Sequence, residues 1–199
     1  MSPTYPNIWM GNELSKGKTG LPIVISNFGY TSTTSSDWVN GTNGANLSGG
    51  IASITQSTKI ASICLGVNDC KTATRISIAQ YKSNIASICA TLKAAGFTCV
   101  LHRPTYVSAS NSYGAWDALA SLEYLPGYFE ALQQLVDNST IFLGDTQAYD
   151  VYAVNTAYDG VHPSPVTQRI QSQMWARAIQ NVLAAKANNA RTTTGGFDS

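Results

Sequence analysis

Residues 59–69 read KIASICLGVND, an apolar run that ends in a glycine-containing turn. An uninterrupted apolar strand is typical of the middle of a parallel sheet that is covered on both faces. Four further segments rich in apolar residues flank it, at Ile8–Met10, Pro22–Ser26, Phe97–Leu101 and Thr140–Leu143. The sequence therefore predicts five short strands.

Helical periodicity separates several of these strands. Between Ile78 and Leu92 apolar residues recur every three or four positions, and Gly96 then supplies the residue at which such a helix stops. Residues 116–136 are predicted to form a helix that is interrupted near Pro126, and a last helix begins near Pro165. The chain thus alternates between strands and helices.

This alternation predicts one flavodoxin-like domain over residues 1–187, a three-layer α/β/α sandwich with a mostly parallel five-stranded sheet. Residues 188–199 are predicted to form a flexible C-terminal tail. In folds of this class ligands bind outside the carboxyl ends of the strands. The loops that follow the strands are therefore the place to look for chemistry.

The chain is nearly neutral and poor in charge. Its 199 residues include 12 Lys and Arg against 11 Asp and Glu, which gives a net charge of +1. That balance excludes a protein that holds nucleic acid or anionic lipid by bulk electrostatics. Only 12% of the residues are charged, and the many hydroxyl and amide side chains suit a neutral polar partner such as a glycan or another small molecule. The oligomeric state is left open.

No targeting or membrane segment is expected from the sequence. No stretch reaches the roughly 18 apolar residues that a membrane span needs. The first six residues lack the basic and apolar regions of a secretory signal. An extracellular or particle-associated location stays open.

The four cysteines are Cys64, Cys70, Cys89 and Cys99, and their spacing contains no CxxC pair. Because the chain has only two histidines, a structural zinc site is not expected. Cys64, Cys89 and Cys99 lie in apolar surroundings and are predicted to be buried free thiols, with a disulfide among them as the alternative. We expect neither a metal nor another cofactor.

The turn Asp159-Gly160-Val161-His162-Pro163 stands directly before the last predicted helix. Asp and His three positions apart on a tight turn can place a carboxylate against an imidazole. The carboxylate then fixes the tautomer of the ring and supports a positive charge on it, as a general base requires. The alternative is a turn with a capping aspartate and an incidental histidine.

Two further loops offer hydrogen-bond donors at the same predicted edge. Gly29 follows the second predicted strand, and Asn68 follows the central one. A backbone N–H and a side-chain amide that point at one spot form an oxyanion hole. Taken alone, Gly66–Asp69 would equally well be a strand-ending turn, but the order of the segments along the chain favours the joint interpretation.

The segments resemble the sequence blocks of the SGNH (GDSL-type) hydrolases. The third block of that family, Gly-x-Asn-Asp, matches Gly66–Asp69, and the last block, Asp-x-x-His-Pro, matches Asp159–Pro163. Asn27-Phe28-Gly29 is similar to the second block. The resemblance extends over roughly residues 7–185.

The resemblance implies a fold, a set of roles and an activity. It implies oxyanion donors at Gly29 and Asn68 and a catalytic pair at Asp159 and His162. It also implies hydrolysis of an acyl ester, such as an acetyl group on a carbohydrate, without a metal or cofactor.

The first block departs from the family pattern. Gly-Asp-Ser-Leu-Ser-x-Gly aligns with residues 11–17, GNELSKG, so that Glu13 stands where the family has its nucleophilic serine. A glutamate has no proton to give up at neutral pH, so ordinary serine-esterase turnover is not expected. Three hypotheses follow: Ser15 is the nucleophile, the site has lost its serine and only binds a glycan, or Glu13 and Asp159 form the carboxylate pair of a glycoside hydrolase.

Aromatic residues near the predicted edge are candidate substrate contacts. Tyr30 follows the second predicted strand, and Tyr106, Tyr113 and Trp116 lie in the loop after the fourth. Aromatic faces stack on sugar rings, so Tyr30, Tyr106 and Trp116 are candidates, with ordinary loop packing as the alternative. His102 ends the fourth strand and is expected to be a structural, hydrogen-bonding residue.

Overall fold

The computed structural model describes Leu14 and residues 24–39, 41–154 and 159–194. Strands and helices alternate along these ranges. In chain order they are α1 (Ser35–Val39), α2 (Thr42–Ser53), β1 (Lys59–Ile63), α3 (Ile78–Ala94), β2 (Phe97–Leu101), a π-helical turn (Ala120–Tyr124), α4 (Leu125–Gln133), β3 (Ile141–Leu143), α5 (Ala148–Val154) and α6 (Pro165–Thr194).

The described strands form a parallel sheet in the order β1-β2-β3. Lys59 pairs with Phe97, and Cys99 pairs with Ile141. Three of the five predicted strands are thereby confirmed. β1 ends at Ile63, before the predicted end at Leu65, and β3 begins one residue after Thr140. The predicted strand at residues 8–10 lies outside the described residues. Of the predicted strand at 22–26, residues 24–26 are described and have no regular secondary structure.

Helices cover both faces of the sheet. All five residues of β2 are buried, and successive residues of a strand point to opposite faces. Cys99 and Leu101 belong to the apolar core that includes the buried residues of α3 and α4. Val100 lies on the other face, where it packs with Phe142 and with Val182 of α6. The chain therefore has the α/β/α layering that the sequence predicts.

Local signals in the sequence explain the position of α3. Ser77 precedes the helix, and its side chain accepts a hydrogen bond from the N–H of Gln80 at 3.1 Å, as an N-cap does. Gly96 follows the helix with a φ of +82°, in the left-handed region that ends many helices. The buried side recurs at three- and four-residue steps, at Tyr81, Ile85, Ile88 and Leu92.

The predicted helix at 116–136 has two parts in the structure. A π-helical turn at Ala120–Tyr124 leads into α4. Pro126 lies in the first turn of α4, directly after the π-helical turn, and proline has no N–H to donate to a preceding carbonyl. The proline thus marks the start of an α-helix within the predicted segment.

The last helix, α6, begins at Pro165 as predicted and continues to Thr194, so residues 188–194 are helical where the sequence predicts a flexible tail. Ala176 and Ile179 of α6 pack with the buried Leu14. Of the helices in the described ranges, none is long and apolar enough to cross a membrane.

The prediction of free thiols at Cys64, Cys89 and Cys99 is confirmed, and Cys70 is free as well. Cys70, Cys89 and Cys99 are buried, and Cys64 is partly buried.

A buried histidine ties the ends of the three strands together. The N–H of His102 donates to the carbonyl oxygen of Ile63 at 2.8 Å, and its Nδ1 accepts from the N–H of Asp145 at 2.9 Å. Its Nε2 lies 2.8 Å from Oγ of Ser62, and its ring stacks on Trp175 of α6 at 4.5 Å. Burial lowers the pKa of His102 to about 3, so the ring is neutral and Nε2 carries the proton. His102 is structural, as expected.

Gly144→Ala is expected to destabilise the protein by about 1–3 kcal/mol through overpacking. A Cβ at position 144 would lie 2.6 Å from Nδ1 of the buried His102 ring. In the matched control Gly49→Ala, on α2, the new Cβ has nothing within 4 Å, and replacing a helical glycine raises stability by up to about 1 kcal/mol. Urea unfolding measures both variants, and equal stabilities would contradict this account of the packing.

Candidate active site

Asp159 and His162 meet in the turn before α6. Oδ2 of Asp159 lies 2.7 Å from Nδ1 of His162. Oδ1 accepts hydrogen bonds from the N–H groups of Val161 at 2.9 Å and His162 at 2.8 Å. One carboxylate therefore holds both the imidazole and its own turn. When Nδ1–H is bonded to a carboxylate, Nε2 is the basic atom of the ring.

The two side chains differ sharply in exposure. The side chain of Asp159 is 5% exposed, whereas that of His162 is 62% exposed. Burial raises the pKa of Asp159, but the N–H groups of His162 and Val161 and the imidazole outweigh it and bring the pKa down to about 2. Asp159 is therefore a covered, fixed anion at neutral pH, while the imidazole reaches the surface.

The loop after β2, residues 104–116, holds this turn in place. The N–H of Ser112 donates to the carbonyl oxygen of Asp159 at 3.0 Å, and the N–H of Ser108 donates to that of Gly160 at 2.8 Å. Gly160 has a φ of +76°, and a Cβ there would lie 3.0 Å from Cα of Asn111. Backbone conformation and close approach both call for glycine at this position.

Asn68, the first predicted oxyanion donor, lies on the loop after β1. Its Nδ2 donates to the carbonyl oxygen of Thr33 at 3.0 Å. The backbone carbonyl oxygen of Asn68 accepts from Oγ1 of Thr74 at 3.0 Å and from the N–H of Lys71 at 3.3 Å. A primary amide carries two N–H groups, and the bond to Thr33 uses one of them.

Gly29, the second predicted donor, lies on an exposed loop. Its N–H donates to Oδ1 of Asn27 at 2.9 Å, so a neighbouring side chain occupies this donor. The bond between Asn68 and Thr33 links the loop of Asn68 to the segment that follows Gly29. The oxyanion roles of both residues stay predictions.

A buried network fixes the same two segments against each other. Oδ1 of Asp69 accepts from the N–H of Ser35 at 2.8 Å and from the Ser35 hydroxyl. Nδ2 of Asn84 on α3 donates to Oγ of Ser35 at 2.9 Å. Burial raises the pKa of Asp69, although the bonds from Ser35 act in the opposite direction. Asn68 is thus held by its neighbour in the chain as well as by its own amide.

Two aromatic residues connect the Asn68 loop to the His162 turn. Nε1 of Trp116 donates to the carbonyl oxygen of Val67 at 2.6 Å. Tyr113 packs edge-on against Trp116, with ring centroids 6.4 Å apart, and against His162, at 5.8 Å. Trp116 is only 6% exposed, so it supports the site from inside the core and has little surface to offer a substrate.

The other two aromatic candidates lie in different surroundings. Tyr30 is 51% exposed and lies beside Trp38, with ring centroids 6.0 Å apart. Tyr106 is partly buried and packs edge-on against Tyr149 at 5.5 Å. Of the three predicted substrate contacts, Tyr30 is therefore the one with a largely open side chain.

Glu13 and Ser15 lie outside the described residues, so the nucleophile position has no described geometry. Between them Leu14 is described, and it is 3% exposed. Within the described ranges no group of three or more His, Cys, Asp or Glu side chains is arranged to bind a metal ion.

Tyr113 is the site residue that sequence reasoning did not select. Its hydroxyl lies 3.4 Å from Oδ2 of Asp159, 46 positions later in the chain. The available signal was its place in the loop after the fourth predicted strand, beside Tyr106 and Trp116. No spacing rule joins such distant residues, so the contact emerges only in three dimensions.

Solved structures share this fold. Est24, a carbohydrate acetylesterase from Sinorhizobium meliloti, has a TM-score of 0.67 at 15% identity, over 89% of this chain and 85% of its own. A variant of Axe2, an acetyl xylan esterase from Geobacillus stearothermophilus, has a TM-score of 0.68 at 18% identity. The match covers 88% of this chain and 81% of that protein. A protein described as a candidate SGNH hydrolase, from Slackia heliotrinireducens, has a TM-score of 0.61 at 20% identity. The match covers 85% of this chain and 90% of that protein. The fold is like that of the SGNH hydrolases.

Comparisons of sequence add nothing to this. No protein-family model matches the chain, and no curated protein gives a significant sequence match. At identities of 15–20% structural similarity establishes the fold, and the activity has to be argued from the residues of the site.

Replacing Asp159 by Asn is expected to remove a pH-dependent part of the stability. The pKa of about 2 in the folded protein lies below the ordinary 3.8. The carboxylate therefore stabilises the fold above about pH 4 and loses this contribution as the pH falls toward 2. The difference in unfolding free energy between wild type and Asp159→Asn should be largest near pH 6 and should shrink below about pH 4.

Urea unfolding at about pH 6, 4 and 2.5 measures this difference. Asp150→Asn is the control, because Asp150 lies on α5 with a side chain 72% exposed, and only a small change is expected at each pH. A pH-independent difference for Asp159→Asn would show that the carboxylate does not act through its charge.

Proposed function

We propose that this chain carries an SGNH-type hydrolase site for acyl esters of carbohydrates, acetyl esters above all, with Glu13 in place of the nucleophilic serine. The observation that carries the proposal is the pairing of a buried carboxylate, Asp159, with an exposed imidazole, His162, at 2.7 Å. This pair comes last in the chain, after the loops of Gly29 and Asn68, in the block order of the SGNH family.

The chemistry follows from the atoms that are available. With a serine at position 13, Nε2 of His162 takes the proton of the serine hydroxyl as its oxygen attacks the ester, and Asp159 supports the positive charge that develops on the ring. The carbonyl oxygen becomes negative in the tetrahedral intermediate, and Asn68 and Gly29 are the donors for it. Gly29 can donate only after Asn27 releases its N–H, because that bond is formed in this structure.

Carbohydrate is the class of substrate that the composition and the comparisons support. The chain has few charges, 12% of its residues, and the exposed ring of Tyr30 offers a face on which a sugar can stack. Est24 and Axe2, which share the fold, are named as a carbohydrate acetylesterase and an acetyl xylan esterase.

Glu13 prevents the wild-type site from working as a serine esterase. A glutamate carboxylate has no proton for His162 to remove, and its attack on an ester would form an anhydride. We therefore infer that the wild-type protein binds acetylated carbohydrate at this site without rapid ester turnover. A serine at position 13 would complete the triad with Asp159 and His162.

The described site gives the glycoside-hydrolase hypothesis no support. Such an enzyme would need Asp159 to act on a sugar together with Glu13. Both oxygens of Asp159 are already hydrogen-bonded, and its side chain is 5% exposed. A carboxylate covered in this way has no open side toward a glycosidic bond.

Hydrolysis of an aryl acetate and of acetylated xylooligosaccharides tests the proposal. We expect activity near background for the wild type and a gain of about 100-fold or more for Glu13→Ser, since a positioned nucleophile and base contribute at least that factor. Adding His162→Ala to Glu13→Ser should return the activity to background. Glu13→Gln is the matched control, and it should stay as inactive as the wild type.

Other outcomes would overturn the proposal in distinct ways. Ester cleavage by the wild type that is lost in Ser15→Ala would assign the nucleophile to Ser15. Release of reducing sugar by the wild type, abolished in Glu13→Gln, would establish a glycosidase. If no variant cleaves esters and calorimetry detects no binding of acetylated xylooligosaccharide, the site does not serve acyl esters of carbohydrate.

A further inference from the structure

We propose that Tyr113 is a positioning residue for the Asp159–His162 pair, holding the imidazole in the tautomer that acts as a base. Its catalytic consequence rests on the proposed function, whereas the contact itself is a property of this structure. Neither the motifs of the sequence nor the resemblance to the SGNH blocks assigns a role to this residue.

Tyr113 contacts both members of the pair. Its hydroxyl lies 3.4 Å from Oδ2 of Asp159, the same oxygen that is 2.7 Å from Nδ1 of His162. Its ring stands edge-on to the imidazole, with centroids 5.8 Å apart and planes at 77°. The tyrosine therefore borders the hydrogen bond on which the tautomer depends.

Contacts with Asn111 and Trp116 fix the position of Tyr113. Its N–H donates to Oδ1 of Asn111 at 3.2 Å, and Nδ2 of Asn111 donates to the carbonyl oxygen of Trp116 at 2.9 Å. Its ring stands edge-on to Trp116, with planes at 81°. Because Trp116 is bonded to Val67, the position of Tyr113 is set by the loop that carries Asn68.

The physical role follows from the exposure of His162. A ring that is 62% exposed can rotate about its terminal torsion, which is broad for histidine, and water can compete for its Nδ1. An aromatic ring beside the imidazole restricts that rotation. The hydroxyl contact with Asp159 is longer than an ordinary O–H···O hydrogen bond, so it contributes less than the ring itself.

The two histidines of the chain allow a direct measurement. His102 accepts at Nδ1 from the N–H of Asp145 and is therefore the Nε2–H tautomer. His162 faces a carboxylate with Nδ1 and is expected to be the Nδ1–H tautomer. Long-range proton–nitrogen NMR spectra of histidine-labelled protein distinguish the two forms, and His102 reports whether each variant is folded.

We expect Tyr113→Leu to shift His162 from predominantly Nδ1–H toward a mixture of tautomers, with the His102 signals unchanged. Tyr113→Phe keeps the aromatic ring and should stay close to the wild type. Tyr124→Leu is the matched control, since Tyr124 packs on Tyr128 and Arg75, and it should leave His162 unchanged. A wild-type tautomer of His162 in Tyr113→Leu would overturn the proposal.

Kinetics in the Glu13→Ser background give the second readout. Tyr113→Leu should lower kcat about 10-fold or more with KM changed by less than about twofold, because orientation of the base is lost while binding is kept. Tyr113→Phe should restore most of kcat. A loss confined to KM would assign Tyr113 to substrate binding and overturn the positioning role. If Glu13→Ser shows no esterase activity, the proposed function fails, while the tautomer measurement still decides the role of Tyr113.

Discussion

The site depends first on the hydrogen bonds of one buried histidine. The backbone N–H of His102 donates to Ile63 of β1, and its ring bonds to Ser62 of β1 and to the N–H of Asp145 after β3. The carboxyl ends of all three described strands therefore lie at the same level. His102 and Asp145 are buried and Ser62 is partly buried, so an unmade bond there would cost about 1–3 kcal/mol. Because the strand ends are level, the loops that leave them reach the same edge of the sheet.

Aspartate carboxylates stabilise those loops by accepting hydrogen bonds from backbone N–H groups. Asp145 accepts from the N–H groups of Gln147 and Ala148 at the start of α5. Asp69 accepts from Ser35, and Asp159 accepts from its own turn. Few acidic residues exist in this chain, and these three act as acceptors for backbone N–H groups. Of these three carboxylates, only that of Asp159 also binds an imidazole, which makes this carboxylate part of a proton-transfer site.

Much of this could be predicted where the signal is local. β1, β2 and α3 follow from apolar periodicity, a capping serine and Gly96, and the Asp159–His162 contact follows from a three-residue spacing on a tight turn. The π-helical turn at 120–124 and the Ser35–Asp69 and Tyr113–Asp159 contacts could not be predicted, because their partners are far apart in the chain or arise from packing. The aromatic candidates show the same limit. Trp116 is predicted from the sequence to contact a sugar, but in the structure it is buried and supports the site from the core.

The most direct test of an acyl-ester site is covalent labelling of Glu13→Ser with an aryl methylphosphonate ester, followed by peptide mass spectrometry. A phosphonate adduct imitates the tetrahedral, charged intermediate, so it forms quickly only on a serine that a base activates and an oxyanion hole faces. We predict one adduct, on residue 13, that disappears when His162→Ala is added, and none on the wild type. An unlabelled Glu13→Ser protein, or labelling that survives the loss of His162, would contradict the account.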